Sequence, residues 1–339
     1  MQYGHWAVDV FIVLSGYCLM LPVVRSSDNH LRGGVIAYFV RRSRRIIPPY
    51  YAAILLSLLL IFIAHQLRKV GADNDYQANF SAPMLLSHIF LIHNLNLTWI
   101  YGVNPAMWSV ATEWQIYFVF PLLLLPVWRR IGGVAAVVVG FAVGVAPHFL
   151  LPKNSNFDWV YPWYIGLFAL GMAGASIGFS SRPMDISMRR GPWGYIALLL
   201  LTGIGMLVAI HSRIAENAYM IDFLVGLLTV SAIIYTTRCL TRGQNLSHPW
   251  FLRVCDAKVS LLLGSFSYSL YLIHVPIIHL LYCALSLAHL SSLLMFAVLI
   301  GTGLGASLLA AYFFSLVFER PFLSLARQQV KLPIGIAGA

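Results

Sequence analysis

Long apolar runs broken by short polar stretches make up most of this chain, and the runs are too long for strands. Nine of them come near the ~20 residues an α-helix needs to cross a bilayer. They lie at 6–24, 46–64, 108–126, 133–151, 159–179, 193–211, 218–236, 264–285 and 292–318. A tenth stretch, Met84 to Ile100, is interrupted by Ser87, His88, His93, Asn94 and Asn96, and its hydropathy alone does not say whether it spans. The pattern predicts an all-α fold, a polytopic transmembrane helical bundle of about nine spans forming one membrane domain. No internal repeat or low-complexity segment stands out. The parts outside lipid are loops near 65–107 and 237–258 and a short tail after Arg320.

Composition agrees. Of 339 residues, 60% are hydrophobic and only 10% charged, whereas a soluble domain is about half apolar and a quarter charged. The net charge of +11 sits in short basic runs between apolar stretches. It therefore reads as a topology signal, and nucleic acid is excluded as a partner. Cytoplasmic loops collect Lys and Arg. With 84–100 outside the count of spans, 18 of the 22 basic residues fall on one side and 4 on the other; with it included, the split is 8 against 14. The segment 84–100 is thus expected to be a surface or re-entrant piece, with the N-terminus outside and the C-terminus cytoplasmic. An outside N-terminus with so few residues before the first span leaves the bundle one helix short, and ten spans would put both ends in the cytoplasm.

Cys18, Cys239, Cys255 and Cys283 show no CxxC and no metal-ligand spacing, so neither a disulfide framework nor a metal site is expected. The first apolar run, Trp6 to Val24, lacks a basic n-region and a small-residue cleavage site, so it reads as a span and not as a signal peptide.

Ionisable groups inside spans cost about 2.5–3.5 kcal/mol on insertion scales and so mark candidate function. Asp9, Glu113, Asp222 and His274 are the four that stand out. Asp222 has no motif around it, and a plain cross-helix hydrogen bond is the expectation there. Ser109, Glu113 and Tyr117 recur every four residues, and Ser267, Tyr271 and His274 follow i, i+4, i+7, so each set lies on one helix face. Two polar stripes on separate helices point to an interior cavity. Arg41, Arg42, Arg44 and Arg45 cluster at the cytoplasmic mouth of the second span. Arginine binds phosphate bidentately and stays charged, which fits a polyphosphate ligand such as a coenzyme A derivative; an anionic-lipid patch is the alternative.

Read in order, these segments resemble acyltransferase family 3, polytopic enzymes that modify glycans and related acceptors. Ala7-Val-Asp-Val-Phe-Ile-Val-Leu-Ser-Gly-Tyr17 is similar to its Gly-Val-Asp-Leu-Phe-Phe-Val-Leu-Ser-Gly-Phe run. Arg41, Arg42, Arg45, Ile46 and Pro48 meet Arg-Arg-x-x-Arg-Ile-x-Pro. Trp108, Ser109, Glu113 and Tyr117 meet Trp-Ser-Leu-x-x-Glu-x-x-Phe-Tyr, with Ile116 in place of Phe. Ser267, Tyr268, Tyr271, Leu272, His274 and Pro276 meet Ser-Tyr-x-x-Tyr-Leu-x-His-x-Pro, and Phe318-Glu-Arg-Pro-Phe322 looks like the closing Phe-x-Glu-x-Pro-Phe pattern.

The resemblance implies transfer of an acyl group, most often acetyl, from cytoplasmic acyl-CoA as co-substrate to a hydroxyl of a saccharide or similar acceptor, with no tightly bound cofactor. It implies Arg42 and Arg45, with Arg41 beside them, as holders of the donor's phosphates. Asp9, Glu113 and His274 are the implied catalytic set, and Trp108, Ser109, Tyr117, Ser267, Tyr268 and Tyr271 the substrate path. The family's usual catalytic histidine lies one helix upstream of the Val-Asp segment and has no counterpart here; His5 does not occupy that position. His274 is the only motif histidine left in a span, with a supporting role along the acyl path the main expectation. Residues 1–325 are then a membrane acyltransferase domain lacking its first helix, and 326–339 a cytoplasmic tail, in the inner membrane of a bacterium. A transporter or flippase, or a catalytically inactive family member, are the other readings.

Overall fold

The computed structural model describes residues 4–72, 80–152, 157–210, 217–241 and 250–322. Among these residues there are helices and no strand. The helices are α1 (Trp6–Val24), α2 (Gly34–Arg68), α3 (Ala82–Ile89), α4 (Trp108–Arg130), α5 (Gly133–Leu150), α6 (Tyr164–Phe179) and α7 (Pro183–Arg189). They continue with α8 (Trp193–Ala209), α9 (Ala218–Thr241), α10 (Trp250–Cys255), α11 (Lys258–Ser265), α12 (Ser267–Ser286) and α13 (Ser292–Phe318). Eight described helices are long and apolar enough to cross a membrane, nine if α7 and α8, bent by 65°, count as one span. Eight of the nine predicted runs each fall on one of these helices, and the run at 264–285 begins in α11 and continues as α12. The stretch 84–100 is no spanning helix: it holds α3, a 3-10 turn at His93–Leu95 and irregular chain. Lys153, Arg213, Arg242, Arg327, Lys331 and the tail 326–339 lie outside the described residues.

Two boundaries differ from the hydropathy pattern. The second helix does not start after the arginine run but at Gly34, so Arg41 to Arg45 are helical. Arginine is a good helix former, and hydropathy registers only the lipid-length part of a helix. The run at 264–285 is likewise two helices, α11 and α12, meeting at Phe266.

The chain divides into two compact units, Met1–Val35 with Ser109–Arg253 and Ile36–Trp108 with Val254–Ala339. In the first, α6 is central: thirteen of its sixteen residues are buried. Helices in lipid gain nothing from hiding apolar surface from one another, so close backbone approach through small residues must hold them. A Cβ on Gly16 would lie 2.0 Å from the Phe168 carbonyl oxygen, and one on Gly171 1.9 Å from that of Val13. Only glycine lets α1 and α6 touch backbone to backbone at these two points. Arginines close the helix ends of this unit. Arg182 donates to the carbonyls of Trp128 (2.7 Å) and Arg129 (2.8 Å) at the end of α4, and Arg189 to those of Ile177 (2.6 Å) and Ser180 (2.7 Å) at the end of α6. Each satisfies orphan carbonyls and opposes the negative end of the helix dipole.

In the second unit α12 packs along α13, and Ala64 near the end of α2 and Ala72 just beyond it meet Cys283 of α12. Tyr50 and Tyr51 of α2 donate to the carbonyls of His88 (2.9 Å) and Ile89 (2.6 Å), fastening the α3 segment.

Candidate active site

The second unit contains the arginine run and the histidine motif. Pro48 and Pro49 lie within α2 and have no N–H, so the carbonyls of Arg44 and Arg45 lose their helical donors. Arg44 and Arg45 are exposed, while Arg41 and Arg42 are half-buried. Tyr268, at the first turn of α12, donates to the carbonyl of Ile46 at 3.4 Å, which ties the histidine motif to the arginine helix.

Further along α12, His274 is half-buried, with Nδ1 at 2.8 Å from the carbonyl of Tyr271 and 3.2 Å from that of Leu270. Two carbonyl partners require a proton on Nδ1, which in the neutral ring leaves Nε2 as the acceptor. The Tyr271 ring stands 6.0 Å from the imidazole. Pro276 frees the carbonyl of Leu272, and Asn104, fully buried, donates Nδ2 to it at 2.7 Å and to Ser57 Oγ at 3.2 Å. Ser267 is exposed and donates to the carbonyl of Gly264 at 3.1 Å. The buried serine of the motif is Ser269, which donates to Glu319 Oε2 at 2.5 Å, so the fourth and fifth family-like segments are joined.

The first unit contains the carboxylates. Ser109, Glu113 and Tyr117 are all buried on α4, as their spacing predicts. Glu113 Oε1 accepts a short hydrogen bond from the Tyr117 hydroxyl, and a second at 3.0 Å from Ser15 of α1. Trp108, at the start of α4, is buried.

Asp9 is also fully buried, in company the sequence did not announce. His5, Asp9 and Asp222 each offer a ligand atom within 4.8 Å of the others, and His5 Nε2 lies 3.1 Å from Asp222 Oδ1. Trp163 Nε1 donates to Asp222 Oδ2 at 2.9 Å. Neither oxygen of Asp9 accepts a hydrogen bond of normal geometry; the Tyr164 hydroxyl and the Asp222 carboxyl are its polar neighbours. Asp9 and Ser15 stand six residues apart on α1, about 9 Å along the axis at 1.5 Å per residue, so the two carboxylate clusters are successive stations on one helix.

Sequence reasoning passed over several residues. Asn104 had only one faint signal, a proline four residues beyond Leu272 that strands a carbonyl. His88 and His93, in the segment 84–100, are buried with rings stacked 3.9 Å apart. Burial holds both below the usual histidine range, and with His88 beside it His93 is pushed down to about 3. Both rings are therefore neutral.

Residues 2–315 match a family model described as an acyltransferase domain. Among curated proteins, the O-acetyltransferase OatA of Staphylococcus aureus is 23% identical over 290 residues, and a putative O-acetyltransferase of the same species is 24% identical over 304. Each alignment takes in 81% of this chain and 46% of the relative, so the chain spans less than half the length of the curated proteins it matches. No solved structure matches it.

Proposed function

The chain belongs to the acyltransferase domain family matched across residues 2–315, and from that membership we propose that it moves an acyl group, most simply acetyl, from acyl-CoA to a hydroxyl of a saccharide or similar acceptor. The observation that carries this reading is the near-complete family match joined to relatives named as O-acetyltransferases. The arginine helix supports it from the donor side. Arg45 is exposed and Arg41 and Arg42 are half-buried on a helix the prolines loosen, and guanidinium groups in series suit the phosphates of coenzyme A. The chain then lies in a bacterial plasma membrane with this run and the C-terminus on the cytoplasmic side. Residues 1–325 are the acyltransferase domain and 326–339 a cytoplasmic tail.

In the reaction the acceptor oxygen attacks the thioester carbonyl. A C–O bond forms, the C–S bond breaks, and the hydroxyl proton must leave. His274 suits that proton: with Nδ1–H spent on its own helix, Nε2 holds the free lone pair. The proton then passes to the departing thiolate. Glu113, held by two hydroxyls, and Asp9 are the buried carboxyls that the family segments of the first unit supply.

Membranes carrying the chain, given labelled acetyl-CoA and a saccharide acceptor, are expected to transfer label. His274→Gln should lower kcat about 100-fold, a modest general-base contribution, with the KM for donor little changed. Arg42→Ala and Arg45→Ala should instead raise the KM for donor. Transfer indifferent to all three substitutions would remove the proposed roles, and no transfer to any hydroxyl would remove the activity.

A further inference from the structure

The cluster of His5, Asp9 and Asp222 asks for something the acyl-transfer reading does not use. We propose that these three residues bind one divalent first-row transition-metal cation, Zn²⁺ or Mn²⁺, at the His5 end of α1.

Charge is the first argument. Asp9 and Asp222 are both fully buried in apolar helices, and among the described residues neither makes an ion pair with Lys or Arg; His5 is the one basic side chain in contact. Buried charges are paired or coordinate metals, and two carboxylates at this range repel unless a proton or cation lies between them. Both oxygens of Asp9 and Oδ1 of Asp222 are enclosed without a hydrogen bond of normal geometry.

Geometry and donor type are the second. Bonds of about 2.0–2.3 Å to a common ion hold ligand atoms roughly 3–4.5 Å apart. The three ligand atoms lie within 4.8 Å of one another, one pair already at 3.1 Å, so closure needs only a small movement. Trp163 fixes Asp222 through Oδ2 and leaves Oδ1 for the ion, the way an outer hydrogen bond orients a ligating carboxylate. One imidazole nitrogen with two carboxylates is neither a soft thiolate set nor an all-oxygen cage; the imidazole suits Zn²⁺ and the carboxylates Mn²⁺. Three protein ligands leave a coordination position open. The His5 side chain is 20% exposed while both carboxylates are sealed, so the histidine is the door through which an ion enters. Sequence spacing hides the site because Asp222 lies more than two hundred residues from its partners.

The test is metal content, which does not depend on acyl transfer. The full chain is purified in detergent, stripped with EDTA, equilibrated with Zn²⁺ or Mn²⁺, and measured by plasma mass spectrometry and titration calorimetry. About one ion per chain is expected, with affinity falling ten-fold or more in Asp9→Asn and Asp222→Asn, and 10–100-fold in Trp163→Phe through loss of the outer hydrogen bond. His5→Gln, at the half-buried cap of α1 and away from the packed core, keeps the fold and loses ten-fold or more. Uptake equal in wild type and His5→Gln overturns the proposal, and so does a wild type that takes up no metal while infrared difference spectra show the carboxyl pair exchanging only a proton.

Discussion

Glu113 and Asp9 are both buried carboxylates in family segments of the same unit, and the fold treats them in opposite ways. Glu113 is dressed by hydroxyl donors from two helices, Ser15 and Tyr117. Asp9 faces a second carboxyl and an imidazole and receives no regular hydrogen bond. A hydroxyl cage makes a carboxylate part of the packing, because its loss leaves the donors stranded. A like-charged neighbour makes a carboxylate a liability to the empty fold that only a bound cation or proton repays. The first arrangement holds a group still; the second is built to respond.

The difference can be pressed by mutation, the largest effect first. Glu113→Ala strands the buried Tyr117 hydroxyl at about 1–3 kcal/mol and frees the half-buried Ser15 hydroxyl, so a loss of roughly 2 kcal/mol or more is expected in denaturant melts in detergent, while Glu113→Gln, which keeps an acceptor, should lose much less. Tyr117→Phe removes one hydrogen bond to Glu113 and should cost about 0.5–1.5 kcal/mol; no loss would mean that the other partners of Glu113 hold it in place. Asp9→Asn should change stability without metal by no more than about 0.5 kcal/mol, and a rise would show that repulsion from Asp222 is being relieved. A loss as large as that of Glu113→Ala would erase the contrast.

The stacked pair His88 and His93 extends the same idea to neutral groups. Their folded pKa values lie below the ordinary 6.5, His93 at about 3. Between those limits the unfolded chain binds protons that the folded chain refuses, so their contribution is complete above pH 6.5 and is lost as pH falls toward 3. By pH 5 about 2 kcal/mol of the His93 contribution is already lost, at 1.36 kcal/mol per unit below 6.5. Melting temperature in detergent should therefore drop from pH 7 to pH 5, and His93→Phe, which keeps a stacked ring, should flatten that slope.

Much of this was legible in the order of residues. Apolar length placed the spans, and the sorting of arginines kept 84–100 out of the bilayer count. The i, i+4 spacing foretold that Glu113 and Tyr117 share a face, because a helix converts spacing into direction. Ser267, Tyr271 and His274 likewise share α12, but Ser267 is exposed at its first residue and the motif's buried serine is Ser269. Asp222 carried no motif, and its meeting with Asp9 depends on α1 and α9 both packing on α6, a matter of glycine contacts far along the chain. Nor does local sequence reveal that Arg182 and Arg189 close helix ends while Arg45 stays exposed, since all three count equally as positive charge.

The bond from Asn104 to the carbonyl freed by Pro276 has a consequence for how the protein is made. The two partners are 168 residues apart, so the ribosome delivers the amide long before its acceptor. Until α12 enters the membrane, the Asn104 Nδ2 donor has only Ser57 Oγ to meet, and the carbonyl of Leu272 in turn arrives unsatisfied. A chain stopped before Leu272 would leave the Asn104 amide short of an acceptor, a mark by which a membrane protease could tell an unfinished copy from a finished one.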